Sequence, residues 1–181
     1  MHLHTINANN LEVEVIDQII ALIEETWPLS ANKEKSQTEK REYFQNLNPG
    51  KQCHVIFDEN KVVGYAESFK RVVRAHILAI KLLGIASVCV SKDYRGQGLG
   101  EDLIRVCFGR VNHGEFPVCL FQTTLPEFYT KYNCKEVHNQ FMNSNNLDEP
   151  DKNPFWDPHV MIYPAYYDWP SETIDLHGPG Y

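Results

Sequence analysis

One run of the chain, Arg95-Gly96-Gln97-Gly98-Leu99-Gly100, has the residue types and spacing to hold a phosphorylated ligand. Three glycines recur at every second position behind one arginine. Glycine lets the backbone approach an anion closely and adopt positive φ. The N–H groups that open a helix lack intrahelical partners and carry partial positive charge. Arg95 adds a fixed cation. Two common phosphate loops do not fit. A nucleotide P-loop ends in Gly-Lys-Ser/Thr, and here Gly100 is followed by Glu101 and Asp102. A dinucleotide loop spaces its glycines Gly-x-Gly-x-x-Gly, which this run does not.

The elements around the loop follow from hydrophobic pattern. The apolar run Leu82 to Val90 predicts a buried strand. Leu99, Leu103, Ile104, Val106, Cys107 and Phe108 predict a helix from Leu99 to Val111, closed by Gly114 and Pro117. Val118 to Gln122 reads as a buried strand, parallel to the first if the unit is β-α-β. Upstream, His2 to Ile6 is a strand. A helix runs from about Leu11 to Trp27, capped by Asn9 or Asn10 and ended by Pro28. Ser30 to Thr38 is a polar loop, and Ser36 or Thr38 caps a second helix to about Leu47. Asn48-Pro49-Gly50 is a turn. Strands follow at Gln52 to Phe57 and Val62 to Val73, with a bulge at Gly64. His76 to Val90 returns antiparallel, with a break expected near Lys81 to Gly84. Downstream come a short helix from Leu125 to Tyr132, a strand from Val137 to Met142, an exposed loop, a strand from Trp156 to Tyr163, and an irregular tail from Tyr166 to Tyr181.

Composition bounds the rest. A length of 181 residues predicts one domain, and 43% apolar residues supply a core. The net charge of −7 argues against a general nucleic-acid binder and is compatible with a cationic partner. Met1-His2-Leu3-His4 lacks a basic-then-apolar leader design. No apolar stretch approaches the ~18 residues that span a membrane. The five cysteines show no Cys-x-x-Cys pair, which points to small buried hydrophobes in a reduced, cytoplasmic protein. The histidines are scattered without metal-ligand spacing, so no metal is expected.

The loop resembles the acetyl-CoA loop of the GNAT acyltransferase superfamily, Arg/Gln-x-x-Gly-x-Gly/Ala. A second string supports the likeness. Pro126-Glu127-Phe128-Tyr129-Thr130-Lys131-Tyr132-Asn133-Cys134 is similar to the family's Pro-x-Phe-Tyr-x-Lys-x-Gly-Phe. Asn133 stands where glycine is usual, and asparagine tolerates a left-handed backbone next best. The element order also matches, from Ile6 to Tyr163. The resemblance implies an α/β (α+β in some schemes) GNAT fold: a central mixed, splayed, mostly antiparallel sheet flanked by helices, with the 166–181 tail packed on a single domain.

It also implies roles. Val88, Cys89 and Val90 would offer backbone groups to the pantetheine arm, and a backbone N–H, that of Val88, would hold the developing oxyanion. Arg95, Gly96, Gln97, Gly98, Leu99 and Gly100 would surround the pyrophosphate of acetyl-CoA. Tyr129 would protonate the departing thiolate, with Tyr132 as the alternative; a phenol titrates near about 10 and keeps its proton at neutral pH. Many relatives carry a glutamate in the strand before the loop, and Leu83 to Val90 contains none. Glu67 on the preceding strand, or His76 or His54, is then the candidate base. A narrower likeness to aminoglycoside 2'-N-acetyltransferases assigns Asp168, Asp175 and the Tyr181 carboxylate to a cationic acceptor. The expected activity is N-acetyl transfer from acetyl-CoA to a primary amine by direct transfer in a ternary complex. The expected partner is a small amine, with no nucleic acid and no membrane, and a homodimer left open. Two alternatives stand beside it: a non-catalytic CoA-binding module and a peptide or protein N-acetyltransferase.

Overall fold

A computed structural model describes residues 1–28, 36–45 and 50–181. The loop expected over residues 30–35 and the turn at Asn48-Pro49 lie outside the described residues. The chain divides into two compact units, Met1–Phe69 with Ser87–Cys107 and Lys70–Ala86 with Phe108–Tyr181. Strands β3 and β4 and helix α3 contribute residues to both.

In the first unit, β1 (His2–Asn7) pairs antiparallel with β2 (Gln52–Asp58), which pairs antiparallel with β3 (Lys61–Ala75). Helix α1 (Val13–Thr26) buries Ile16, Ile19, Ile20 and Leu22. That stripe packs with Cys53, Val55, Tyr65 and Cys89 in one apolar core. Neither Asn9 nor Asn10 caps α1. Glu12 stands at its N-cap without a side-chain bond, and Asn7 instead caps a 3-10 turn over Ala8–Asn10. The expected boundary fails because Asn9 and Asn10 lie inside the 3-10 turn that Asn7 caps. Helix α2 (Gln37–Gln45) opens as Ser36 predicts: Ser36 Oγ accepts from Glu39 N–H at 3.2 Å, and Ser36 N–H donates to Glu39 Oε2 at 2.7 Å. The bulge on β3 falls beside Gly64, where the register shifts between Ile56 and Phe57.

Strand β4 (Leu78–Val90) follows a two-residue turn, His76-Ile77. Its irregularity is at Ser87, with φ of 55°, and not between Lys81 and Gly84. Lys81 to Gly84 stays regular because Leu83 and Gly84 register with Cys119 and Leu120 of β5 (Cys119–Thr123), in parallel. Helix α3 (Leu99–Asn112) buries Leu99, Leu103, Ile104, Cys107 and Phe108. Gly114, at φ +78°, closes it, and its N–H reaches Val111 O at 2.9 Å.

In the second unit β5 pairs antiparallel with β8 (His159–Tyr163), and β8 with β6 (Lys135–Val137). Helix α4 covers Pro126–Thr130. The single strand expected from Val137 to Met142 is two: β6, and β7 (Phe141–Met142), which pairs with the tail instead. The tail is not wholly irregular. Ile174–Asp175 forms β9, paired with Arg74 and Ala75 of β3 and with β7. Ile174 and Leu176 are fully buried there with Val73, Ala75 and Ile80. Burying each branched side chain contributes roughly 1.5–3 kcal/mol, enough to order a short strand. Arg71 clamps the end of the tail: its NH2 group donates to Pro179 O at 3.0 Å and to Leu176 O at 3.3 Å, and its guanidinium lies over the Tyr181 ring. Gly180 sits so close to the Pro154 carbonyl that a Cβ would overlap it.

Candidate active site

The glycine loop is held firmly at its root and open at its crown. The strand end continues into a 3-10 turn, Lys92–Tyr94. Ser91 N–H donates to Val63 O at 2.9 Å, and Lys92 N–H donates to Glu25 Oε1 at 3.2 Å. Tyr94 OH donates to Asp58 at 2.9 Å, with Lys61 over its ring. Beyond these anchors Gly96, Gln97 and Gly98 are exposed. Gly96 and Gly98 have φ of +76° and +84°, and a Cβ on either would meet open space. The spacing of glycines therefore answers to backbone conformation. Helix α3 begins directly after, and its Asp102 N–H bonds to Gly98 O at 3.1 Å. The N–H groups before Asp102 have no helical carbonyl to reach. Arg95 is exposed, and its Nε donates to Val90 O at 3.0 Å, which leaves its terminal nitrogens for an anion. A fixed cation, exposed glycines and the start of a helix fit a pyrophosphate.

The strand leading in has its own backbone feature. Ser87 adopts φ of 55° inside β4, a left-handed conformation that costs a serine of order 1–3 kcal/mol. It immediately precedes Val88 and so re-aims the peptide groups that follow. Val88 and Val90 are half-buried; Cys89 is buried against the α1 core, and burial pushes its thiol up to about 12. Of this set, the Val90 carbonyl is already taken by Arg95.

Glu67 is 3% exposed, on the face of β3 shared with Tyr65. It registers opposite Cys53 of β2. Ser91 N–H bonds to Val63 O, four residues before Glu67, so the loop end of β4 lies against β3. Two groups hold the carboxylate. Lys51 Nζ forms an ion pair with Oε2, and Tyr65 OH donates to the same oxygen at 3.0 Å. Lys51 is itself 4% exposed and lies over the Phe69 ring. Cys53 Sγ is 3.3 Å from Tyr65 OH. Burial raises the Tyr65 phenol well above its ordinary range, and burial pushes the Cys53 thiol up to about 11. Both therefore stay protonated at neutral pH, and Tyr65 remains a donor to Glu67.

The other candidates stand in different surroundings. His76 is exposed at the tip of the β3–β4 turn, with φ of 52°. His54 is fully buried between Thr5 Oγ1 and Ser68 Oγ, each at 2.9 Å. Tyr129 is buried on α4 with its ring tilted against Phe121 at 4.6 Å and edge-on to Phe128 at 5.0 Å. Asn133 does adopt the left-handed conformation, φ 63°, that its motif position demands. Asp168 is exposed. Asp175 is spent within the tail: Oδ1 accepts from Ser144 N–H at 3.0 Å and His177 N–H at 2.9 Å. Burial raises its carboxyl, but these bonds outweigh burial and leave it below the ordinary value. Tyr181 is drawn inward, where its backbone oxygen accepts from Gln122 Nε2 at 2.9 Å. The partners of Glu67, Lys51 and Tyr65, were not singled out from the sequence. The available signal was alternation: Lys51 with Cys53, and Tyr65 with Glu67, fall on one face of paired strands.

Residues 7–137 match the model of the acetyltransferase (GNAT) domain. The chain belongs to the GNAT acetyltransferase family. Structures of similar fold include a GCN5-related N-acetyltransferase from Kribbella flavida, 18% identical with a TM-score of 0.57, covering 75% of this chain and 33% of that one. ElaA of Escherichia coli is 15% identical with a TM-score of 0.58, covering 89% of this chain and 97% of the other. An aminoglycoside acetyltransferase from an uncultured soil metagenomic sample, in complex with trehalose, is 20% identical with a TM-score of 0.55, covering 72% and 83%. The chain thus spans about a third of the length of the Kribbella protein. No curated protein matches its sequence. GNAT domains use acetyl-CoA as co-substrate, and the mixed sheet flanked by helices is the fold of the family. Among the described residues no His, Cys, Asp and Glu side chains are grouped to hold a metal, and no helix is long and apolar enough to cross a membrane.

Proposed function

We propose that the chain transfers an acetyl group from acetyl-CoA to a primary amine by direct attack in a ternary complex. The observation that carries this reading is the anchored loop 95–100: its root is bonded on several sides while Gly96, Gln97 and Gly98 stay exposed ahead of the first donors of α3. Acetyl-CoA lies with its pyrophosphate on these donors and Arg95, and its thioester carbonyl takes the Val88 N–H.

The proton sequence follows from the residues available. The acceptor arrives as an ammonium ion and gives one proton to the Glu67 carboxylate. The neutral amine attacks the thioester carbon, and the oxyanion is held by the Val88 N–H. Collapse breaks the C–S bond, Tyr129 protonates the thiolate, and the proton on Glu67 and the nitrogen's second proton pass to solvent, from which Tyr129 is reprotonated. Glu67 is preferred over His76 because it is buried on the strand whose Val63 O bonds to Ser91 at the loop root, whereas His76 stands at an exposed turn. Asp168 and Glu172, exposed on the tail, favour a cationic acceptor.

Gly98→Asp tests the loop. The added carboxylate repels the pyrophosphate, and calorimetry is expected to show loss of acetyl-CoA binding in a folded protein. Gly98→Asn, which tolerates the left-handed backbone, separates charge from strain and should retain measurable binding. A thiol-release assay across aminosugars, polyamines, amino acids and peptides then separates catalysis from mere CoA binding.

A further inference from the structure

We infer that Lys51 is a positioning residue for the proposed reaction: with Tyr65 it fixes Oε2 of Glu67, so that Oε1 is the oxygen left to receive the acceptor's proton. The inference rests on the proposed role of Glu67 as base. Three observations carry it. Both bonds recorded to the carboxylate, from Lys51 Nζ and Tyr65 OH, fall on Oε2. All three residues are buried, Tyr65 completely. Lys51 is held in turn, with its ammonium 5.6 Å from the centre of the Phe69 ring.

Orientation and charge act together on this carboxylate. A carboxylate on a flexible side chain presents either oxygen and several rotamers. Two donors on one oxygen select one rotamer and one free lone-pair direction. An isolated carboxylate in a buried setting would neutralise itself by taking a proton, and then could not act as a base. The Lys51 ammonium compensates the carboxylate's charge, and Tyr65, held protonated by burial, adds a donor without adding a charge.

The test is a set of variants assayed for kcat and for KM with acetyl-CoA. Lys51→Met is expected to lower kcat by roughly 10- to 100-fold with KM for acetyl-CoA unchanged, and Lys51→Arg to restore much of the loss. The double variant Lys51→Met/Glu67→Gln is expected to be no slower than Glu67→Gln alone, because a residue acting through another has nothing left to position. Its pairing of neutral side chains also avoids a stranded buried charge. A Lys51→Met enzyme with kcat within about 2-fold of wild type, or a double variant with additive losses, overturns the inference while leaving Glu67 as base if Glu67→Gln alone is slow. A fully active Glu67→Gln enzyme overturns the base assignment and the inference with it. Should Lys51→Met fail to fold, Tyr65→Phe carries the test, since it removes only the hydroxyl on Oε2. A fall in kcat at constant KM supports the inference, and kcat within about 2-fold overturns it.

Discussion

Glu67 and Asp175 are both carboxylates withdrawn from solvent on strands, yet they are held by different donors. Asp175 gathers backbone N–H groups of Ser144 and His177 on Oδ1 and stands 3.5 Å from His177 Nε2 with Oδ2. These bonds join β9 to the loop beside it. Glu67 also has its two donors on one oxygen, but they are the side chains of Lys51 and Tyr65. Backbone donors tie a carboxylate into the fold of the chain; a buried ammonium and a phenol aim a carboxylate without using it to hold two segments together. The number of partners is similar in the two cases, and the kind of donor differs.

Substitution can break this comparison. The largest effect is expected at Glu67. Glu67→Gln keeps the shape and removes the basic oxygen, and kcat should fall by about 10²-fold or more, the range for a lost general base. A kcat within a few-fold of wild type would put Glu67 in the same structural class as Asp175.

Asp175→Asn should act on stability instead. One charged hydrogen-bond acceptor is weakened, for a loss of about 1–2 kcal/mol, read as a melting temperature lower by roughly 2–6 °C, with kcat nearly unchanged. The pH dependence has a definite sign. The folded carboxyl titrates below its ordinary 3.8, so its contribution is complete above pH 3.8 and is lost as the pH falls through the lower folded value. Denaturant midpoints of wild type and variant should therefore differ at neutral pH and converge in acid below 3.8. A loss in KM for amines rather than in stability would return Asp175 to the acceptor site.

The smallest effect is expected at Asp168, exposed on the tail. Asp168→Asn should raise KM for a cationic acceptor about 2-fold at low salt, and the difference should vanish at high salt. No change at low salt would leave the acceptor's charge without a partner at this position.

Much of this was legible in the residues themselves. The glycine loop, α3 and β5 are set by local signals: backbone freedom at Gly96 and Gly98, a helical stripe, and Pro117 before an apolar run. The left-handed Asn133 followed from motif position. What escaped local reading depends on contacts distant in sequence. Ser87 carries no mark of its left-handed backbone, since serine is not a residue chosen for that region. The tail strand β9 exists because Ile174 and Leu176 find Val73 and Ala75, about a hundred residues earlier. The Lys51–Glu67 pair needs the β2–β3 register, which a bulge beside Gly64 displaces. Asn9 and Asn10 before α1 read as caps, but they lie within a 3-10 turn capped by Asn7.

The crowding between Gly180 and the Pro154 carbonyl has a mutational consequence. At most buried positions, tolerance declines gradually as a replacement grows. Here the first added carbon already occupies the carbonyl's space, so alanine and tryptophan meet the same obstacle. A saturation library at Gly180 should accordingly give a step and not a slope: one accepted residue, with every alternative displacing the tail from the segment at Pro154 and Phe155.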